Sequence, residues 1–397
     1  MMPSLPIRML TEVPPRLLWK FVTGAGIGNL RAIRAFERRK QAGTVFPPFV
    51  FISVTQRCNL VCKGCWATGV AEPADMTRAL LHAIVAESRA QGCRFFGILG
   101  GEPLLLPWLP DFFDAHRDSY FQLFTNGQLL DDGMAKRLRR AGNVSPLISV
   151  EGGTESYADR RGNGAAYGRT LEALACCKRA GLVTGVATSV SASTYADTVT
   201  PAFIDDMAAR GAHYVWYYIF RPSGPEPCFG ETLDDARVRD LRRFLLEQRK
   251  ARSDVVIVDA YWDHEGRALC PAATGISHHI NARGEVEPCP PIQCADCHVA
   301  PGRVAETITR SPFLAAFRET VPTLTRGCAL MDHPQELAAL AARSGACDSS
   351  GRGTFFQELA SRPALSCHNH GGEPMPETSW AYRFAKKHWF FGFGAYG

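Results

Sequence analysis

The strongest constraint on folding is a regular alternation that runs from residue 48 to residue 258. Phe49–Val54 (FVFISV), Arg94–Leu99, Tyr120–Phe124, Leu147–Val150, Val183–Ser189 and Tyr214–Phe220 read as short buried strands. Met76–Ala90, Leu109–His116, Asp131–Ala141, Tyr167–Ala180, Ala202–Arg210 and Asp234–Lys250 carry apolar residues at helical spacing and read as the helices that follow them. A strand joined to the next through a helix must pair in parallel, with right-handed crossovers. Six such units predict an α/β chain built as an incomplete barrel or a doubly wound open sheet.

The flanking segments have a different texture. Residues 1–47 form an N-terminal extension in which Leu17–Lys40 can make a basic amphipathic helix, interrupted by the Gly-rich stretch Gly24–Gly28. It would pack on the unit behind it or touch a membrane surface or partner. After Val255–Val258 the alternation stops and Cys, Pro, Gly and His become dense, which places a boundary near Asp259. The expected organisation is therefore an extension at 1–47, a strand–helix core at 48–259, and a small, loop-rich, metal-stapled unit at 260–397. The last of these ends in the aromatic, basic tail Trp380–Gly397. A balance of 46% hydrophobic and 21% charged residues excludes wholesale disorder. A net charge of +5 gives no argument for nucleic acid, and none is expected as a partner. No apolar run reaches the roughly 18 to 20 residues of a membrane span, and no clean secretory signal is present, so a cytoplasmic location is expected.

The chain has 14 cysteines, and seven of them lie from Cys270 to Cys367. In a long chain without an export signal this favours metal or redox chemistry over disulfides. Cys58, Cys62 and Cys65 follow the first strand in the string CNLVCKGC. Three thiolates can hold an iron–sulfur cubane and leave one iron open to a substrate or cofactor. The alternative is a zinc site completed by a distant His or Cys. Other polar motifs also stand at strand C-termini: Gly100–Gly101–Glu102–Pro103, Thr125–Asn126–Gly127, Ser149–Val150–Glu151–Gly152 with Arg160–Arg161 after it, Thr188–Ser189, and Arg221–Pro222–Ser223–Gly224. In parallel α/β folds that face carries the active site.

The cysteine spacing together with GGEP resembles the radical S-adenosylmethionine (SAM) superfamily, over roughly residues 48–300. The resemblance implies a partial (β/α)6 barrel related to the TIM barrel, and a 4Fe–4S cluster on Cys58, Cys62 and Cys65. SAM would chelate the open iron and, after reductive cleavage to a 5′-deoxyadenosyl radical, hydrogen would be abstracted from a substrate. It also implies SAM contacts from Gly100, Gly101, Glu102, Pro103, Asn126, Ser149 and Arg161. Gly64 stands where relatives often have an aromatic residue, and Trp66 follows the third Cys instead. Glu151 replaces a more usual Asp.

Cys270, followed by thirteen residues, Gly284, four more and Cys289, resembles the opening of the auxiliary-cluster module called SPASM, or its shorter form twitch. The intervening HHINARGEVEPC reads as a hairpin turning at Arg283–Gly284. Cys294 and Cys297 form a CxxC pair. Cys270, Cys289, Cys294 and Cys297 can complete one auxiliary 4Fe–4S cluster, with Cys328 able to displace Cys294 or Cys297. Cys347 and Cys367 stay unassigned, two clusters remain an alternative, and a zinc site would recruit His298 or His278. Cys93, Cys176 and Cys177 read as core residues. Cys228, in the loop after the sixth strand, is a candidate hydrogen donor or substrate contact.

The resemblance implies an oxidoreductase- or transferase-type enzyme fed by a flavodoxin- or ferredoxin-type electron donor. It would modify a peptide or protein, by family analogy. Modification of a small molecule, lipid or sugar is the alternative, and the hydrophobic, basic termini would suit a lipid or a peripheral membrane contact. No separate leader-peptide-binding domain is recognisable, which weighs against the peptide. A non-catalytic iron–sulfur scaffold or sensor is the rival of another class.

Overall fold

A run such as FVFIS has apolar side chains on both faces, so it is stable only inside a sheet covered on both sides. In the computed structural model, which describes residues 2–369 and 371–389, these runs become β1 (Phe49–Ser53), β2 (Phe95–Leu99), β3 (Tyr120–Thr125), β4 (Val144–Ser149), β5 (Gly185–Val190) and β6 (Tyr214–Ile219). Three more strands extend the same sheet: β7 (Val256–Val258), β8 (Ser277–Ile280) and β9 (Val286–Glu287). The order is β7-β6-β5-β4-β3-β2-β1-β8-β9. All neighbours are parallel except β8 and β9, which form the expected hairpin. The architecture is the open, curved parallel sheet of a partial barrel.

Each expected helix is present between its strands, within a few residues of the expected limits. Thr77, Asp131, Thr200 and Asp234 cap four of them, each side chain accepting a hydrogen bond from a first-turn backbone N–H. The sheet also continues past residue 259. Phe49–Ile52 of β1 pairs with Ser277–Ile280 of β8, so the second cysteine region is hydrogen-bonded to the edge of the first.

Two expectations about texture change. The segment Gly24–Gly28 does not interrupt its helix: Pro15–Phe21, the wider π-turns of Val22–Gly28, and Asn29–Gln41 follow without a break. A Cβ on Gly24 would come within 3.1 Å of Tyr120 Cβ, so this segment needs its glycine to lie close under β3. The region after 260 is also less loop-rich than its Pro content suggests. It contains the helices Val304–Arg310, Pro312–Leu324, Pro334–Arg343, Phe355–Ala360 and Trp380–His388. Pro312 and Pro334 stand at first helical positions, where proline starts a helix rather than breaking one.

The N-terminal extension spreads beneath the strand starts. Arg8, fully buried, donates to the carbonyls of Ala208, Ala212 and Asp254. Lys20 donates to the Ala141 carbonyl, and Phe21 packs edge-on to Tyr120. This closes the floor, opposite the strand ends that carry the polar motifs.

The C-terminal helix Trp380–His388 docks on the β7 edge through buried charge. Asp259 accepts from Arg249 and from Lys386 Nζ at 3.1 Å, and Glu377 accepts from Arg242 at 2.9 Å and from Arg249. Ile257 N–H of β7 donates to the Tyr382 hydroxyl. Burial alone would raise the Asp259 carboxyl, but Lys386, Arg249 and Arg242 hold it far below the usual carboxylate range. Removing one partner of such a cluster strands the others without water. Asp259→Ala is expected to lower unfolding stability by about 3–5 kcal/mol, measured by denaturant titration.

Candidate active site

Beyond β1 and β2 the two backbones stay paired. Gly101 N–H donates to the Thr55 carbonyl and Glu102 N–H to that of Arg57, both at 2.8 Å. Gly100 has φ +148, a conformation that favours glycine. A Cβ there would lie 2.3 Å from the Thr55 oxygen, and one on Gly101 would lie 2.0 Å from the Arg57 oxygen. The two glycines therefore press against the segment that leads into Cys58.

Glu102 does not face the cavity. It is fully buried, and its carboxylate accepts from Leu104 N–H (3.0 Å), the Thr125 hydroxyl (2.8 Å) and Asn126 N–H (2.8 Å). Its role in this geometry is to tie the GGEP turn to the TNG turn. Pro103 is likewise absent from the cavity wall. Asn126, held by that bond, turns its amide to Asn59 at 2.8 Å and towards Cys58 Sγ at 3.8 Å.

A cavity of about 400 Å3 opens above the strand ends. Cys58, Cys62 and Cys65 line it together with Gly100, Gly101, Asn126, Ser149 and Arg161. Arg161 makes a two-pronged ion pair with Glu151 (2.5 and 2.7 Å) and places Nη1 3.5 Å from Cys62 Sγ. Burial raises the Cys65 thiol, so a bare thiolate is disfavoured there, while Cys58 is exposed. A positive metal centre would remove that penalty, and the Arg161 and Asn126 donors beside the sulfurs fit an anionic cluster.

The opposite wall of the same cavity carries Cys270, Cys289 and Cys328. Cys367, absent from the cavity wall, lies beside Cys328. A proton shared between the two thiols lowers one of them and raises the other. Arg221, at the end of β6, faces this group, and its charge interacts with Cys289, Cys328 and Cys367. Among the described residues, no three His, Cys, Asp or Glu side chains converge as ligands of one metal ion, the arrangement a zinc site needs. Thiolates on separate irons of a cluster stand farther apart.

The second cysteines divide by their place relative to the cavity. Cys294 and Cys297 do not line the cavity with Cys270 and Cys289. Cys294 is buried in a two-stranded ladder formed by β10 (Cys294–Ala295) and β11 (Cys347–Asp348). Burial, the carboxylates of Glu287 and Asp348, and then the neighbouring Cys289 raise its thiol, while burial and Asp296 push Cys297 up to about 12. Neighbouring carboxylates oppose a thiolate; Arg221 favours one. Cys228 also stays off the cavity wall, its thiol 3.4 Å from the Glu226 carbonyl. Cys93, Cys176 and Cys177 are buried, as expected of core residues.

The remaining wall is largely aromatic, including Phe51, Trp66, Phe124, Tyr218 and Phe220. Two polar atoms in it stand out. Arg221 Nε and the Tyr218 hydroxyl are buried, without hydrogen-bond partners. Both residues belong to the strongly β-prone sixth strand and its exit, where periodicity signals only burial. Trp66 stands edge-on to His279, whose ring bonds Ser53 Oγ (2.7 Å) and Glu287 (2.5 Å) and so links the end of β1 to the hairpin.

Residues 52–197, which hold the first cysteine group and the turns from GGEP to Arg161, match the radical SAM superfamily. The chain carries a radical SAM domain. The cofactors of that superfamily are a 4Fe–4S cluster and SAM. The chain is 27% identical over 175 residues to the Fe-coproporphyrin III synthase of Methanosarcina barkeri, covering 43% of each protein. It is 24% identical over 252 residues to the sporulation killing factor maturation protein SkfB of Bacillus subtilis, covering 60% of this chain and 59% of that one. The chain thus spans about half the length of these curated relatives. The radical SAM fold and its extension also match the crystal structure of Streptococcus suis SuiB bound to the precursor peptide SuiA. That match has a TM-score of 0.55 at 13% identity, over 84% of this chain and 77% of that one.

Gly101→Ala is expected to cost about 1–3 kcal/mol by forcing the cysteine segment away. Gly168→Ala, on an open helix face with nothing within 4 Å, should be neutral or stabilising. Paired denaturant titrations compare the two.

Proposed function

We propose that the chain is an enzyme that cleaves SAM reductively and removes a hydrogen atom from a peptide or protein substrate held between two iron–sulfur centres. The observation that carries this reading is the shared cavity: Cys58, Cys62 and Cys65 on one wall, Cys270, Cys289 and Cys328 on the other. The first group would hold the cluster that leaves an iron open, and Cys270, Cys289, Cys328 and Cys367 an auxiliary one. When bound, the first cluster supplies the electron that opens the sulfonium of SAM and so generates the radical that takes the hydrogen.

The chain's own residues prepare that event. Gly100 and Gly101 hold the Cys58 segment against the sheet, and Arg161, fixed by Glu151, offsets the charge beside Cys62. Ser149 and Asn126 supply polar groups on the SAM side. The aromatic wall excludes water from a reactive radical. Arg221 Nε and Tyr218 OH offer two donors to an acceptor group of the substrate, such as a carbonyl or carboxylate.

A peptide substrate is supported by the likeness to SuiB, seen with a precursor peptide. The mostly apolar cavity and the likeness to Fe-coproporphyrin III synthase favour a second reading, in which the substrate is a small apolar molecule bearing an acceptor group. Fourteen free cysteines suit a reducing cytoplasm and a flavodoxin- or ferredoxin-type electron donor.

The protein reconstituted with iron and sulfide without oxygen, then given dithionite and SAM, should release 5′-deoxyadenosine, read by chromatography. Release of none sinks the enzymatic reading and leaves a scaffold or sensor. Ligand assignment has its own readout. Changing Cys270, Cys289, Cys328 or Cys367 to Ala should remove about four iron atoms per chain. Cys294→Ala and Cys297→Ala should leave the iron content unchanged, and a loss there would restore the CxxC pair as ligands.

A further inference from the structure

Among the described residues eight large hydrophobic side chains are exposed, and seven of them lie on the terminal helices. Ile7 and Leu10 project from Leu5–Glu12, and Trp19, Val22 and Ile27 from the continuous helix of Pro15–Gln41. Trp380 and Phe384, one turn apart, project from the C-terminal helix. The two termini meet, because Trp389 Nε1 donates to the Ala25 carbonyl at 2.7 Å. Trp19 is 68% and Trp380 80% exposed, whereas large aromatic side chains in a soluble fold normally find cover.

Positive charge accompanies these side chains on both terminal segments. Spacing along the long helix sets Arg31, Arg34 and Arg38, all exposed, in line after Ile27. Residues 2–41 contain eight Lys and Arg against two Glu, a surplus larger than the +5 of the entire chain. Arg383 and Lys387 add exposed positive charge on the C-terminal helix. Exposed aromatic and aliphatic groups next to a row of arginines, on helices that lie flat against the domain, match the chemistry of an interfacial anchor. No helix among the described residues is long and apolar enough to cross a membrane, so such an anchor would lie on the surface.

We propose that this face docks on an anionic lipid surface. The apolar side chains enter the headgroup layer and the arginines pair with lipid phosphates. The long helix forms the floor beneath the strand starts, so docking would leave the cavity at the strand ends turned away from the lipid and open to a soluble substrate and electron donor.

The test is co-sedimentation of the iron-loaded protein, without oxygen, with vesicles of phosphatidylcholine alone or mixed with phosphatidylglycerol. Binding to the mixed vesicles is expected, falling as salt rises above about 0.1 M, where the screening length is ~10 Å. The triple change Arg31→Glu, Arg34→Glu, Arg38→Glu should weaken it on the order of a hundredfold. Leu10→Ser with Trp19→Ser should weaken it about tenfold or more. Iron content and circular dichroism check that each variant folds; should the Leu10 and Trp19 pair fail, Trp380→Ser with Phe384→Ser reads the same face from the other helix. No binding, equal binding to both vesicle types, or binding untouched by the arginine changes overturns the proposal. So does concentration-dependent self-association that the Leu10 and Trp19 changes abolish in the absence of lipid, which would assign the face to a second copy of the chain.

Discussion

The candidate site depends on one close passage of backbone over backbone. Gly100 and Gly101 bring the exit of β2 against Thr55–Arg57, and the bonds from Gly101 and Glu102 prolong the β1–β2 ladder past the last strand residues. Cys58 begins where that ladder ends. Glu102 then spends its buried carboxylate on Leu104, Thr125 and Asn126, which locks the third strand's turn to the second's. A side chain at either glycine would push these segments apart, and the cysteine segment would lose its fixed distance from Asn126 and Arg161.

Charge compensation supports the proposed division of the cysteines. Burial makes a thiolate costly, so a buried sulfur that must ionise needs a cation, a donor or a metal nearby. The first group has Arg161 and Asn126. The group on the facing wall has Arg221, which comes from the exit of β6 rather than from the cysteine-rich region itself. Cys294 and Cys297 have Glu287, Asp348 and Asp296 around them instead. Arg221 therefore couples the parallel sheet to the second cysteine region chemically, as the β1–β8 pairing does mechanically.

Much of the sheet was legible because parallel strands buried on both faces leave unbroken apolar runs, and the helices between them carry capping residues and a single apolar stripe. The segments that misled are those where local signals have two meanings. Gly24–Gly28 resembles a breaker, yet its missing side chains let the helix lie close under Tyr120. Pro312 and Pro334 resemble loop punctuation and instead open helices. Of the aromatic tail, Phe390 and Phe391 lie outside the described residues, while His388 ends a helix and Trp389 reaches Ala25.

By itself the sequence determined the strand–helix order, the face on which chemistry must occur, and the three-cysteine group. Each is a local property: a periodicity, a position at a strand end, a spacing within one turn of chain. Only the tertiary structure decided that Glu102 serves the turns rather than the cavity and that Cys228 stands aside. It also put Cys328, rather than the CxxC pair, on the cavity wall with Cys270 and Cys289. Those outcomes depend on which side chains a folded backbone brings within a few ångströms, and on whether an arginine or a carboxylate arrives with them. Spacing along the chain carries no record of either.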